Sequence, residues 1–240
     1  MTTPIRAITF DFWNTLISES RSADHRTQRW VTAIEEHGHE ISHEQLEKGL
    51  QRMWEWFVQR WEGNVVVTPE HAVDVALETL ELPLDDPLRT SMVAALREGF
   101  DPSDMVTADG LGDALEALKG AGLRIGIICD VGLTPSSTLR SYLEHHGLLQ
   151  HFDHWSFSDE VGVYKPDPRI FSHALEGLGV DDPAAMAHIG DLRRTDVAGA
   201  RAAGWRSLRY TGFSDDETDL PEADHVVTHH SELVGLLTGG

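Results

Sequence analysis

Three aspartates and one lysine stand where chemistry is expected in this chain of 240 residues. Asp11 follows one apolar run, and Asp191 and Asp196 follow another. Lys165 comes shortly before a helical pattern. Carboxylates that lie close together repel one another and raise one another's pKa. A hard cation relieves that repulsion, and a ligand set made only of oxygen atoms favours Mg²⁺ over zinc. If the fold brings these residues together, the sequence predicts a magnesium site beside a charged lysine.

The hydrophobic pattern indicates the elements that must position these residues. Short apolar and β-branched runs predict strands, and segments of about ten residues between them predict helices. The predicted strands are residues 5–10, 123–128, 155–157, 185–189, 207–210 and 226–227. Strands that alternate with helices are typical of an α/β fold with a doubly wound, parallel, Rossmann-like sheet. Ligands bind beyond the carboxyl ends of such strands, so we expect the aspartates to meet at that edge.

Taken one at a time, the same residues have simpler explanations. An aspartate after a strand commonly caps a helix or closes a turn. Lys165, which is followed closely by two prolines, is compatible with a solvated loop. The joint placement of four such residues at the ends of successive strands is what favours a functional site.

A different pattern fills the interval between the first two predicted strands. Apolar side chains recur there at spacings of three and four, which predicts four amphipathic helices. We therefore expect an α/β domain formed by residues 1–16 and 109–240, with an inserted all-α domain of four helices over residues 17–108.

The second of these helices is rich in large apolar side chains. Met53, Trp54, Phe57 and Trp61 follow the apolar stripe and are predicted to form the core of the insertion, with a hydrophobic substrate pocket as the alternative. Trp56 falls off the stripe and is the better candidate for a lid or a dimer contact.

Composition excludes several classes of protein and partner. The chain has 19 Lys and Arg against 40 Asp and Glu, a net charge of -21, so it lacks the clustered bases that bind nucleic acid. A single cysteine, Cys129, excludes a disulfide framework or a cysteine zinc site within one chain. The first residues show no basic stretch followed by a long apolar run, and no segment reaches 18 uninterrupted apolar residues. We therefore expect a soluble, cytoplasmic protein without a membrane partner.

The fourteen histidines are scattered along the chain and show no zinc-protease spacing. His188 is an exception in its position, because it lies within the predicted strand that precedes Asp191. We expect His188 to be buried.

Three segments resemble the motifs of the haloacid dehalogenase superfamily of hydrolases and phosphatases. Residues 10–16 (FDFWNTL) resemble its first motif, residues 163–168 (VYKPDP) its third, and residues 190–196 (GDLRRTD) its fourth. Their order and separation match over nearly the whole chain, and the helical insertion stands where the family places a helical cap. The resemblance implies a hydrolase for a small anionic substrate.

The resemblance also implies a role for each residue. Asp11 would be the nucleophile that forms an aspartyl intermediate. Lys165 would hold its carboxylate and neutralise charge on the transferring group. Asp191 would bind Mg²⁺, and Asp196 would support the ion directly or through a neighbour. In the family the backbone carbonyl two residues after the nucleophile is a further ligand, and that residue is Trp13 here.

The chain departs from the family pattern at two positions. Family phosphatases carry a second aspartate as general acid and base where this chain has Trp13, whose indole cannot do that work. The second motif has Ser or Thr to bind phosphate where this chain has Cys129, a weaker donor, followed by Asp130, which adds negative charge. Cys129 and Asp130 are the substrate contacts predicted from this motif. Arg193, in the fourth motif, would either draw an anionic substrate to the site or pair with surface acids.

Three functions stay open. The first is a Mg²⁺-dependent phosphatase for a small phosphorylated metabolite, with Asp191 and Asp196 as its evidence. The second is a 2-haloacid dehalogenase, since those relatives also have an aromatic residue at the position of Trp13 but lack the paired acids. The third is a binding protein without catalysis. A monomer and a homodimer are both compatible with the sequence.

Overall fold

The computed structural model describes residues 3–19, 25–84 and 86–238. The chain forms two compact units, an α/β unit of Met1–Glu19, Met105–Asp130 and Tyr142–Gly240, and a helical unit of Ser20–Asp104 and Val131–Ser141. The second segment of the helical unit lies within the predicted α/β domain of residues 109–240. It groups with the helices because Leu133 packs into their apolar core.

Parallel strands form the sheet of the α/β unit. The strands along the chain are β1 (Ala7–Phe10), β2 (Ile17–Glu19), β3 (Met105–Thr107), β4 (Arg124–Cys129), β5 (His154–Phe157), β6 (Met186–Gly190), β7 (Arg206–Tyr210) and β8 (His225–Val227). Six of them pair in the order β5-β4-β1-β6-β7-β8, and every pairing between neighbours is parallel. The predicted α/β fold with a doubly wound sheet is confirmed.

The strand that precedes Asp11, β1, is a central strand of the sheet. β1 lies between β4 and β6, so the chain runs outward in both directions from this strand. Its four residues are all buried, as expected of a strand covered on both faces. The ends of β1, β4 and β6 therefore stand side by side at the point where the strand order reverses, which is where ligands bind in such folds.

A small ribbon that the sequence pattern does not predict joins the ends of the insertion. β2 and β3 pair antiparallel, with Ile17 opposite Thr107 and Glu19 opposite Met105. Each strand has three residues. Runs this short are below the length at which an alternating pattern becomes visible.

The helical unit is built from amphipathic helices. They are α1 (His25–Glu36), α2 (His43–Glu62), α3 (Pro69–Thr79) and α4 (Asp86–Glu98). α2 begins at a capping box, in which Ser42 accepts a hydrogen bond from the backbone of Gln45 and the Gln45 side chain accepts one from the backbone of Ser42. Among the described residues, these helices cover the part of the chain where four were predicted.

The orientation of α2 differs from the prediction. Met53 and Phe57 are buried in the core of the helical unit as expected. Trp54 is 53% exposed, so its predicted core position is wrong, and Trp56 packs partly against the core instead. Gly49, on the buried face of α2, lies against Leu80 just after α3, and a Cβ at Gly49 would lie 2.7 Å from the Leu80 side chain.

The remaining helices follow along the chain. They are α5 (Leu111–Gly120), α6 (Ser136–His145), α7 (Ser158–Val161), α8 (Pro168–Gly177), α9 (Ala198–Ala202) and α10 (Glu232–Thr238). A π-helical turn, Arg193–Val197, precedes α9. Within the described ranges, every helix is too short or too polar to cross a bilayer.

Candidate active site

Asp11 stands directly after β1, at the centre of the sheet edge. Its backbone N–H donates to the carbonyl of Ile189 on β6 at 2.8 Å, which carries the strand pairing one residue beyond Phe10. A tight turn follows, in which the N–H groups of Leu16 and Ile17 both donate to the carbonyl of Phe12. Asp11 is 6% exposed, so its carboxyl group is held in a fixed place with little access to bulk water.

Lys165 connects two of the aspartates. Its ammonium donates to Asp11 Oδ1 at 2.5 Å, to Asp196 Oδ1 at 2.7 Å and to the carbonyl oxygen of Ile128 at 3.2 Å. These bonds occupy all three protons of the group. Burial by itself lowers the pKa of Lys165, but the charges of Asp11 and Asp196 outweigh it and raise the pKa well above its usual value. The side chain therefore stays charged.

Asp196 returns to the edge of the sheet through the π-helical turn, and its carboxylate is fully engaged. Oδ1 accepts from Lys165 Nζ at 2.7 Å and from His188 Nε2 at 3.1 Å. Oδ2 accepts from the backbone N–H of Leu192 at 3.0 Å and from Thr195 Oγ1 at 3.1 Å. Burial raises the pKa of Asp196, but Lys165 and His188 more than reverse this, and the pKa is lowered. Asp196 is ionised and anchored on both oxygens.

The three aspartates meet. One carboxylate oxygen each of Asp11, Asp191 and Asp196 lies within 4.8 Å of the others, and all three residues are buried. Burial, foremost, raises the pKa of Asp11 to about 7, with the charge of Asp196 acting in the same direction. Burial and the charge of Asp11 raise the pKa of Asp191 well above its usual value. The predicted convergence of Asp11, Asp191 and Asp196 at this edge of the sheet is confirmed.

This donor set fits a divalent cation. Three buried carboxylates face one ammonium, and hard oxygen donors of this kind suit Mg²⁺. Because both oxygens of Asp196 already accept hydrogen bonds, Asp11 and Asp191 are the residues best placed to bind an ion directly. Asp196 would then add negative charge beside the ion without being a direct ligand, which is one of the two roles that the resemblance leaves open.

Trp13 lies in the tight turn after Asp11. Its ring makes edge contacts with Phe12, at 5.2 Å between ring centroids, and with Tyr142, at 6.4 Å. The residue is half-buried. An aromatic group therefore occupies the place two residues after Asp11, and the role of its backbone carbonyl as a metal ligand stays a prediction.

Cys129 is the last residue of β4, and Asp130 follows it beside Lys165. Cys129 is fully buried, and burial, then the charge of Asp11, raise the pKa of its thiol well above the usual value. Asp130 Oδ1 accepts a hydrogen bond from the backbone N–H of Lys165 at 2.8 Å. Asp130 thus positions the lysine backbone, while the predicted substrate contacts of both residues stay predictions.

Arg193 makes its hydrogen bonds and ion pair with residues of the loop that follows β7. Its guanidinium pairs with Glu222 at 2.8 Å and also donates to the carbonyl of Thr218, and its backbone N–H donates to Asp216 Oδ2 at 2.7 Å. These partners belong to the acidic loop after β7. The contacts favour the surface ion pair over the substrate contact predicted for Arg193.

The sequence profile of haloacid dehalogenase-like hydrolases matches residues 5–204, most of the chain. The chain belongs to this hydrolase family. The matched region includes Asp11, Lys165, Asp191 and Asp196, so the residues that meet at the sheet edge all lie within the part common to haloacid dehalogenase-like hydrolases.

Relatives within the haloacid dehalogenase-like hydrolases have more than one chemistry. The chain is 30% identical over 215 residues to haloacid dehalogenase-like hydrolase domain-containing protein 3 of Homo sapiens, covering 87% of this chain and 82% of the relative. It is 28% identical over 243 residues to (S)-2-haloacid dehalogenase 1 of Pseudomonas sp. (strain CBS-3), covering 98% and 97%. It is 28% identical over 210 residues to the glyceraldehyde 3-phosphate phosphatase of Methanopyrus kandleri, covering 85% and 83%.

The fold of this family is also seen in solved structures. The chain matches a HAD phosphatase from Thermococcus onnurineus with a TM-score of 0.69 and 23% identity, over 98% of this chain and 99% of that one. At this identity the match is evidence for the fold alone.

Two residues of this haloacid dehalogenase-like hydrolase complete the site and were not predicted as part of it. His188 is fully buried, as expected, but its contact with Asp196 was not foreseen. Thr9, on β1, bonds to the other ring nitrogen of His188 at 2.8 Å. Each is a polar residue in an otherwise apolar strand, and that was the available signal. Thr9 stands two positions before Asp11, and His188 stands three positions before Asp191.

Proposed function

We propose that this hydrolase is a Mg²⁺-dependent phosphatase that acts on a small phosphorylated metabolite through an aspartyl-phosphate intermediate on Asp11. The observation that carries the proposal is the buried group of Asp11, Asp191 and Asp196, with carboxylate oxygens within 4.8 Å of one another. A single ammonium, Lys165, does not neutralise three carboxylates, and a divalent cation removes the remaining repulsion. When bound, Mg²⁺ supplies positive charge that attracts the phosphoryl oxygens toward the nucleophile.

In this reaction Asp11 is the nucleophile and Lys165 orients it. Lys165 holds Oδ1 of Asp11, so we assign the attack on phosphorus to Oδ2. The new O–P bond forms as the bond from phosphorus to the leaving oxygen breaks and its electron pair goes to that oxygen. The charge of Lys165 stabilises the phosphoryl oxygens during transfer. Water then cleaves the aspartyl phosphate, releasing phosphate and restoring the carboxylate of Asp11.

Trp13 limits the kinds of leaving group that the substrate can have. An alkoxide leaving group needs a proton, and a general acid is typically worth about 10²–10⁴-fold in rate. Indole cannot supply that proton. We therefore propose a substrate whose leaving group departs without protonation, such as an acyl phosphate, or one whose acid comes from the helical insertion or from the substrate itself.

The second candidate is a 2-haloacid dehalogenase. The observation that favours it is the aromatic ring of Trp13, because a halide leaves without protonation. The similarity to (S)-2-haloacid dehalogenase 1 over 98% of this chain supports the same reading. In this reaction Asp11 forms a C–O bond as the carbon–halogen bond breaks, and water hydrolyses the ester. The acidic pair Asp191 and Asp196 is the argument against it.

One set of assays separates the candidates. Phosphate release is measured from a panel of phosphoesters and acyl phosphates with and without Mg²⁺, and halide release from 2-haloacids without metal. We expect Mg²⁺-dependent phosphate release that Asp11→Asn abolishes and that the exposed variant Asp181→Asn leaves intact. Halide release alone would establish the dehalogenase. A folded protein inactive in both assays would support the binding protein.

A further inference from the structure

His188 lies between two groups of the site and is fully buried on β6. Its Nδ1 is 2.8 Å from Thr9 Oγ1, and its Nε2 is 3.1 Å from Asp196 Oδ1. The ring of Phe171 packs nearly perpendicular to the imidazole, with centroids 5.5 Å apart and an interplanar angle of 82°. Both ring nitrogens therefore have partners and the plane of the ring is fixed by packing.

The partners determine where the imidazole proton sits. Asp196 is a carboxylate that only accepts, so Nε2 carries the proton and donates to it. Nδ1 is then an acceptor, and the hydroxyl of Thr9 donates to it at 2.8 Å in preference to the carbonyl of Ala187 at 3.4 Å. Asp196 therefore selects the tautomer, and the hydroxyl of Thr9 complements it by holding the ring at Nδ1.

The bond to Asp196 has a consequence at the nucleophile. Asp196 Oδ1 accepts from His188 and also from Lys165, whose ammonium in turn donates to Asp11 Oδ1. A carboxylate held from both sides presents Oδ1 to Lys165 in one orientation. Loss of the bond from His188 frees one side of that oxygen, and the ammonium can then shift toward Asp196 and away from Asp11.

We propose that His188 is a positioning residue that holds Asp196, and through it Lys165, in contact with the nucleophile Asp11, with the hydroxyl of Thr9 holding the imidazole at Nδ1. The kinetic part of this proposal rests on the proposed phosphatase function. Its structural part concerns the ammonium of Lys165 and is measured without substrate.

The variants His188→Gln and His188→Asn test the bond at nearly constant polarity. The amide nitrogen of Gln takes the place of Nε2 and can donate to Asp196, whereas that of Asn takes the place of Nδ1 and reaches only the side of Thr9. The readout is the ¹⁵N resonance of the lysine ammonium groups. The chain has three lysines: Lys48 is exposed, the side chain of Lys119 is 36% exposed and that of Lys165 is 3% exposed.

We expect a slowly exchanging Lys165 ammonium signal in the wild type and in His188→Gln, and its loss in His188→Asn. On an active substrate, His188→Asn should lower kcat by roughly 10–100-fold with KM little changed, and His188→Gln should restore most of it. Ser207→Ala is the control, because Ser207 is buried opposite His188 on β7 but bonds to Asp224 instead. It should leave the signal and kcat unchanged.

The outcomes separate the two proposals. An Asn variant with the wild-type Lys165 signal, or no protected signal in the wild type, overturns the positioning role. A protected signal in a protein that releases no phosphate overturns the phosphatase and leaves the positioning role standing. Should the His188 variants fail to fold, Thr9→Val removes the hydroxyl with little change in shape, and an unchanged Lys165 signal there overturns the proposal equally.

Discussion

Gly190 and Asp196 are in such close contact that a Cβ built on Gly190 would lie 2.2 Å from Asp196 Cγ and 2.5 Å from Oδ1. Real Cβ atoms do not approach other atoms this closely, so a side chain at residue 190 displaces the carboxylate. The absence of a side chain is what allows Asp196 to reach the ammonium of Lys165. The glycine of the fourth motif is thus a requirement of packing rather than of backbone conformation.

The variant Gly190→Ala follows from this contact. We expect it to lower the free energy of unfolding by about 1–3 kcal/mol, as overpacking typically does, and to lower kcat because Asp196 moves. The matched control is Gly112→Ala in α5, where a Cβ meets nothing within 4 Å. Urea unfolding and phosphate release would be measured for both. Equal activity of the two variants would contradict the anchoring role of Asp196.

Magnesium binding should depend on pH. Burial raises the pKa of Asp11 to about 7, so below that pH the carboxyl group holds a proton that Mg²⁺ must displace. Affinity should therefore rise as the pH rises through about 7, where Asp11 ionises. Asp191, whose pKa is also raised, should add to the proton release on binding. Calorimetry in two buffers of different protonation enthalpy measures both quantities.

Two variants control the magnesium experiment. Asp191→Asn removes one of the two proposed direct ligands and should weaken binding by more than the roughly 10-fold that loss of an outer partner costs. Asp181→Asn changes an exposed acid and should have no effect. Heat of binding that is the same in wild type and Asp191→Asn would place the ion elsewhere.

Replacing Trp13 tests whether a missing acid limits the enzyme. Trp13→Asp supplies a carboxyl group two residues after the proposed nucleophile. We expect kcat on alkyl phosphates to rise by at most the factor of about 10²–10⁴ that a general acid contributes. Acyl phosphates should gain little. Trp13→Phe keeps an aromatic ring against Phe12 and Tyr142 and should give no gain. If the Asp variant is no faster than the Phe variant, the proton comes from another group.

Acid sensitivity should come in part from His230. This residue is fully buried, its Nε2 donates to the carbonyl of Thr15 at 2.8 Å, and its ring stacks on Tyr210. Burial lowers the pKa of His230 from 6.5 to about 4. Between these values the unfolded chain binds a proton that the folded protein does not, so stability falls as the pH falls through this window, by about 3 kcal/mol in all.

The variant His230→Gln removes that titration while keeping a donor for Thr15. The free energy of unfolding between pH 4 and 7 should then fall less steeply with acid than in the wild type. His225→Gln alters an exposed histidine on β8 and should reproduce the wild-type slope. Parallel slopes for wild type and His230→Gln would show that His230 does not carry the effect.

Much of the architecture was predictable because local patterns specify it. Each strand of the parallel sheet coincides with a predicted apolar run to within two residues at either end. The spacing of those runs identified the α/β fold, and the residues after them identified Asp11 and Asp191. The ribbon of β2 and β3 escaped prediction because three-residue strands carry no periodic signal.

The sequence by itself determined which residue types stand at the ends of which strands, because strand and helix formation depend on neighbours in the chain. Only the tertiary structure decided their contacts. Lys165 bonds to Asp11 across 154 positions, and Thr9 bonds to His188 across 179. Such distances depend on strand register and on packing, as Gly190 illustrates. For the same reason the exposure of Trp54 and the full engagement of the Asp196 oxygens became visible only in the folded chain.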